Sequence, residues 1–145
     1  MAEASDAIRT FFDEYATATG SLDLSFFAAA YADTFMFAGP SGAQTVKLDD
    51  FLRVVPKRRE FFAAVGLKSS TIRSLEETRL DDHYVMVKAH WTMRFERPGA
   101  APVLNESSAT YILRRDEHSM RIVVQLDHQD LAQRVRELGL SPSAT

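Results

Sequence analysis

Four histidines, twenty aspartates and glutamates and four tyrosines are the side chains with which this chain could do chemistry, because it contains no cysteine. That absence removes disulfides, thiolate metal ligands and cysteine nucleophiles together, and it fits a reducing compartment, so a cytoplasmic location is expected. His83, His90, His118 and His128 show no pair at i+2 on a strand or i+4 on a helix, the spacings that bring two imidazoles to one metal ion. Asp81-Asp82-His83 has the composition of a ligand cluster, yet aspartates in a hairpin turn are favoured there for backbone reasons. Neither a Gly-x-Ser-x-Gly elbow nor a phosphate-cradling glycine loop occurs. No metal and no cofactor is expected. Asp127 stands out among the carboxylates, since it closes a predicted strand just before a predicted helix and, with Asp130 three residues on, can serve as that helix's N-cap.

The elements that must position these groups follow from periodicity. Ile8, Phe11, Phe12 and Tyr15 fall at i, i+3, i+4 and i+7, which predicts an amphipathic helix from Asp6 to Thr19 with Gly20 as its stop. Ser21 or Asp23 can cap a second helix through Tyr31, whose inner face carries Leu24, Phe27, Ala28 and Tyr31. Asp33-Thr34 interrupt that pattern, Phe35 and Phe37 alternate with Met36 as in a half-buried strand, and Gly39-Pro40-Ser41-Gly42 reads as a turn. Helical spacing returns from Leu48 to Val65, but Pro56 removes a backbone donor and predicts a kink or two short helices meeting at Val55-Pro56. Beyond Lys68 the period is two. Strands are predicted at Ser70 to Leu80, His83 to Arg97, Val103 to Arg115 and Ser119 to Asp127, joined by short turns into an antiparallel meander. On the second of these, Trp91 lies on the core face and His90 on the opposite one. Gln129 to Leu138 predicts a short terminal helix, and residues 139–145 are expected to fray.

Helices followed by a meander describe an α+β domain, with helices covering one face of a curved sheet. At 145 residues, 46% hydrophobic and 26% charged, the chain fits a single domain with one core. It resembles the nuclear transport factor 2-like superfamily, which includes ketosteroid isomerases and SnoaL-like polyketide cyclases. The resemblance covers Asp6 to about Leu138. It rests on Tyr31-Ala32-Asp33 followed by a strand and Gly39-Pro40, and on Arg121-Ile122-Val123 leading to Asp127 and Leu138-Gly139. It implies a cone-shaped α+β fold with N-terminal helices on a curved, mainly antiparallel sheet, an often apolar cavity between them, and a homodimer paired sheet to sheet. Such a dimer would use the His90 face. Nine of the ten phenylalanines precede residue 63, so the helical wall of an implied cavity is aromatic.

Ketosteroid isomerases combine a carboxylate base just after the first strand with a helix tyrosine and a protonated carboxylic acid on a sheet strand. Aligned on Tyr31-Ala32-Asp33, the resemblance puts the helix tyrosine at Tyr15, but it puts Gly39 where the base belongs and Tyr111 where the acid belongs. Glycine accepts no proton, so isomerisation by that route is not expected. What stays implied is a ligand site lined by Tyr15, Phe35, Phe37, Trp91 and Tyr111, in which the hydroxyls of Tyr15 and Tyr111 can bind a carbonyl or phenol oxygen. SnoaL-like members place polar pocket residues at the end of the last strand, so Asp127 becomes a candidate acid or base beside Tyr15 if desolvation raises its pKa. The aromatic residues equally suit a packed core.

A net charge of -3 and a single basic triplet, Lys57-Arg58-Arg59, give no reason to expect nucleic acid or an anionic membrane as partner. No export signal or membrane span is visible in the sequence. Three functions remain open: binding of a small hydrophobic molecule, a cyclase, isomerase or hydrolase activity on a polyketide-like or carbonyl substrate, or a protein-interaction module. The first is expected, because the aromatic wall is present and the isomerase base is missing.

Overall fold

Eleven elements follow one another in the computed structural model, which describes residues 2–140. They are β1 (Ala2–Glu3), α1 (Asp6–Ser21), α2 (Leu24–Ala30), β2 (Tyr31–Gly39), β3 (Gly42–Lys47), α3 (Leu48–Ala64), β4 (Leu67–Arg79), β5 (Tyr84–Phe95), β6 (Val103–Arg115), β7 (Met120–Asp127) and α4 (Leu131–Glu137). The strands form one curved sheet in the order β1-β4-β5-β6-β7-β2-β3, of which β1 contributes only two residues. The expected meander is present as the antiparallel run β4 to β7. Strand β2 extends it by pairing in parallel with β7, so the sheet is mixed and the α+β cone architecture stands.

Along β5 buried and part-buried residues alternate without exception as far as Met93, with Val85, Val87, Ala89, Trp91 and Met93 turned inward. On α1 the buried residues are Ile8, Phe12, Tyr15 and Ala18, one stripe laid across the concave side of the sheet. These positions belong to the larger of two hydrophobic clusters, which also takes in Phe27, Tyr31, Phe35, Leu75, Tyr111, Leu113 and Ile122. A second cluster of Phe62, Val65, Met93, Phe95, Val135 and Leu140 fills the opposite end, beneath the end of α3 and α4.

Several boundaries differ from the periodicity reading. Gly20 does not stop α1, which runs on to Ser21 and reverses at Leu22 in the left-handed region (φ 57°). Only Leu22 and Asp23 separate α1 from α2, and the Asp23 side chain caps α2 by accepting from the Phe26 amide at 3.2 Å. Tyr31 opens β2 rather than closing α2. Helix α3 continues through Pro56 as one element. A proline deletes one donor, and the apolar face on both sides of it, with Phe51, Leu52 and Val55 before and Phe62 and Val65 after, stays packed on the core. Strand β3 is absent from the periodicity reading: its residues are almost all exposed, so it carries no apolar alternation, and its register comes from the hairpin with β2. The N-cap of α4 is Asp130, which accepts from the Gln133 amide at 3.1 Å, and not Asp127. Of the tail expected to fray, Gly139 is exposed but Leu140 is buried in the second cluster, while residues 141–145 lie outside the described residues.

Candidate functional site

The polar atoms inside the cone come mainly from β2 and β7, and a bulge decides which they are. Ile112 of β6 faces Val124, but Leu113 faces Ile122, so Val123 is an extra residue in β7. Strict alternation from the buried Ile122 would turn Val124 and Leu126 inward. The extra residue inverts this and turns Gln125 and Asp127 toward the helices, with Val124 and Leu126 on the outer face.

Gln125 is thereby placed within reach of Tyr31 on β2 and, through it, of Tyr15 on α1. The Tyr31 hydroxyl donates to Gln125 Oε1 at 2.5 Å, and the Tyr15 and Tyr31 hydroxyls are 2.7 Å apart. Since the Tyr31 proton is committed to Gln125, Tyr15 is the donor in that second bond. Gln125 Nε2 in turn donates to Asp127 Oδ1 at 3.1 Å. The result is a directed chain, Tyr15 to Tyr31 to Gln125 to Asp127, that joins α1, β2 and β7.

Aromatic rings surround this chain. Tyr15 lies within about 6 Å, ring centre to ring centre, of Phe12, Phe26, Phe27, Tyr31, Trp91 and Tyr111. Phe12 also meets Tyr111 at 4.9 Å. Burial pushes the phenol pKa values upward, moderately for Tyr15, where the Tyr31 hydrogen bond acts against it, and well above the ordinary range for Tyr31 and Tyr111. All three remain neutral hydrogen-bonding groups.

Asp127 sits among small residues. Across the ladders its row holds Leu75, Ala89, Ala109 and, on β2, Gly39, where a Cβ would lie 3.7 Å from the Asp127 carbonyl oxygen. Three small residues therefore adjoin the carboxylate between the Tyr111 row and the Trp91 row. Asp127 itself is only part-buried, and burial still raises its pKa above the ordinary aspartate value, opposed by the Gln125 amide, by Arg58 and by His128. Arg58 reaches this end of the cone from α3, with its guanidinium 5.0 Å from the centre of the Phe62 ring. Asn105, buried on β6, donates to Gln129 at 2.9 Å and accepts from Arg134 at 3.1 Å, which ties α4 down beside the same opening.

The structure brings together Tyr15, Tyr111, Trp91 and Asp127 of the residues proposed from sequence. Phe35 lies farther away, packed on Tyr31 and Phe51 at 4.7 and 5.2 Å, and Phe37 lies opposite Gln125 at the edge of the larger cluster. The rings pack against one another rather than lining a wide cavity. The Tyr15 hydroxyl, expected to face a ligand oxygen, is engaged by Tyr31 instead. Sequence reasoning misses Tyr31 and Gln125: periodicity assigns Tyr31 to an apolar helix face, and Gln125 is legible as an inward residue only once the bulge is known.

Two surface recesses lie elsewhere. One of about 750 Å³ is lined by Asp82, His83, Arg115 and His118 at the hairpin turns, and one of about 390 Å³ lies against the outer side of α1 and α2. Among the described residues no three His, Asp or Glu side chains are grouped so as to hold a metal ion. Among the same residues, no helix is long and apolar enough to cross a membrane.

The fold recurs in solved structures of distant sequence. Aln2 from a Streptomyces species superimposes with a TM-score of 0.71 at 15% identity, over 93% of this chain and 100% of that one. The beta subunit of the benzoate 1,2-dioxygenase from Burkholderia mallei gives 0.67 at 15% identity, over 92% and 95%. An NTF2-like protein of unknown function from Shewanella oneidensis gives 0.63 at 18% identity, over 86% and 98%. At these identities the likeness is one of fold. No curated protein matches the sequence. The NTF2-like protein family DUF6841 matches residues 2–130, nearly all of the fold built above, and the chain belongs to that family.

Proposed function

We propose that this protein binds a small, largely apolar molecule at the end of the cone where Asp127, Trp91, Tyr15 and Tyr111 converge. The observation that carries the reading is the part-buried Asp127 carboxylate, set in a row of small residues and bordered by aromatic rings. A carboxylate half removed from water at an apolar wall is a costly arrangement for a purely structural residue, and here the cap role that would explain it belongs to Asp130. The rings of the larger cluster touch one another, so the ligand is received by side-chain movement between the two hydrophobic clusters, beside the exposed Arg58. Trp91 is the sole tryptophan, and its emission is a direct probe of this site. Titration with small bicyclic hydrocarbons should change that emission saturably, and native mass spectrometry of the purified protein should find retained small molecules. Absence of both effects would overturn the reading.

A second reading is catalytic. Asp127 lies beside Gly39, the position left without a base when the isomerase pattern is laid on the chain, and its raised pKa suits proton transfer. Asp127 would then act as acid or base, with Tyr15 holding the relay to it. Turnover of a carbonyl or polyketide-like substrate that is lost in Asp127→Asn, while ligand binding is retained, distinguishes this reading from binding alone.

A further inference from the structure

The hydrogen bonds inside the cone have a direction, and the direction limits what a ligand can offer. Tyr31 gives its proton to Gln125, and Tyr15 gives its proton to Tyr31, so neither hydroxyl proton is left to meet a ligand oxygen. The Tyr111 hydroxyl approaches Tyr15, whose oxygen still has a lone pair to accept from it. Gln125 turns its amide nitrogen toward Asp127 and occupies one carboxylate oxygen, Oδ1. The other carboxylate oxygen makes no side-chain hydrogen bond among the described residues, and it belongs to the part-buried row that contains Ala89, Ala109 and Gly39. Arg58, whose charge reaches Asp127, is exposed, stacks over Phe62 and makes no hydrogen bond or ion pair with that carboxylate among the described residues. The hydroxyl chain therefore ends on an acceptor.

Resting on the proposed binding function, we infer that the molecule taken here is recognised as a hydrogen-bond donor, an alcohol or phenol carried on an apolar ring, and not as a carbonyl. A hydroxyl placed against the free Asp127 oxygen is satisfied, whereas a ketone at the same place sets acceptor against acceptor and is desolvated without compensation. This is the reverse of a carbonyl-binding site, in which donors converge on the ligand oxygen. It also separates the roles along the chain: Gln125, Tyr31 and Tyr15 are positioning residues for Asp127, and only Asp127 touches the ligand's polar group.

The test uses three probes on one skeleton, tetralol, tetralone and the parent hydrocarbon tetralin, titrated into the wild-type protein by Trp91 emission and by calorimetry. Tetralol should bind about tenfold or more tighter than tetralone, and tetralone no tighter than tetralin, because a site built to pair a hydroxyl rejects analogues that lack it. In Asp127→Asn, whose amide offers a donor as well as an acceptor, the preference for the alcohol should fall to about twofold or less. If tetralone binds as tightly as tetralol, the inference fails while the proposed binding function stands. If none of the three binds, both fail. An alcohol preference unchanged in Asp127→Asn also overturns the inference, since it would assign recognition to another residue. Should that variant not fold, the wild-type series decides alone.

Discussion

The Tyr31 hydroxyl donates to Gln125 and accepts from Tyr15, so its loss is felt on two sides of the buried chain. Tyr31→Phe leaves both Gln125 Oε1 without a donor and the Tyr15 proton without an acceptor in the interior and should cost about 1–3 kcal/mol, whereas Tyr15→Phe leaves a spare lone pair on Tyr31 and takes away the oxygen that the Tyr111 hydroxyl approaches, and should cost less. Urea unfolding of the two variants side by side measures the order, and a larger loss for Tyr15→Phe would mean that the donor direction is wrong. Asp127 gives a prediction in pH. Its folded pKa lies above its unfolded one, so its contribution is most favourable below the unfolded pKa and is lost as pH rises through the folded pKa. Asp127→Asn keeps an acceptor for Gln125 and cannot ionise, so it should melt above wild type at neutral pH, with the difference shrinking on acidification. Thermal melts across that range would contradict this if the gap stayed constant. Of these residues, Tyr15, Tyr111 and Asp127 are legible in the sequence through the family resemblance. Gln125 is not, because a single extra residue at Val123 inverts which side of β7 faces in and periodicity carries no sign of it, and Tyr31 is not, because periodicity gives it to an apolar helix face.

Among the elements, those with one buried face announce themselves and those without do not. α1 and β5 are readable because a helical stripe is buried along the one and burial alternates along the other, while β3 is exposed nearly throughout and its residues look like a turn. The parallel pairing of β2 with β7 is not readable, since partners some ninety residues apart leave no local pattern. One junction between elements is tight enough to test directly. Gly66 joins α3 to β4 with φ +96°, and a Cβ there would lie 2.6 Å from the Glu96 carbonyl oxygen. The Gly66 carbonyl also accepts from the Glu96 amide at 2.8 Å, so the two chains cannot easily part. Gly66→Ala should therefore destabilise by roughly 2 kcal/mol or more, seen as a lowered denaturation midpoint. Pro56→Ala should act the other way, restoring a donor within α3 and raising stability by up to about 3 kcal/mol.

For the whole molecule the two clusters have separable roles. The larger one surrounds the polar chain, and the smaller one fastens α4 and Leu140 across the open end. Leu140→Ala should cost about 2–4 kcal/mol in global unfolding while leaving Trp91 emission in the folded state unchanged, because Trp91 belongs to the other cluster. On the outer side of the sheet, Met86, Ile112, Val124 and Met36 stand opposite one another across four neighbouring strands, and Met36 is 38% exposed. The homodimer implied by the resemblance would use this row. Light scattering should then report a dimer that Ile112→Arg converts to a folded monomer. The parallel contact of β2 with β7 also bears on how the chain is made. Tyr31 and Gln125 are 94 positions apart, so during synthesis the aromatic face of the first two helices and one edge of β2 emerge long before the strand that covers them. Until β7 has been translated, the nascent chain presents an uncovered aromatic surface, the kind of segment that calls on chaperones, and a truncation before Met120 should be found bound to them or aggregated.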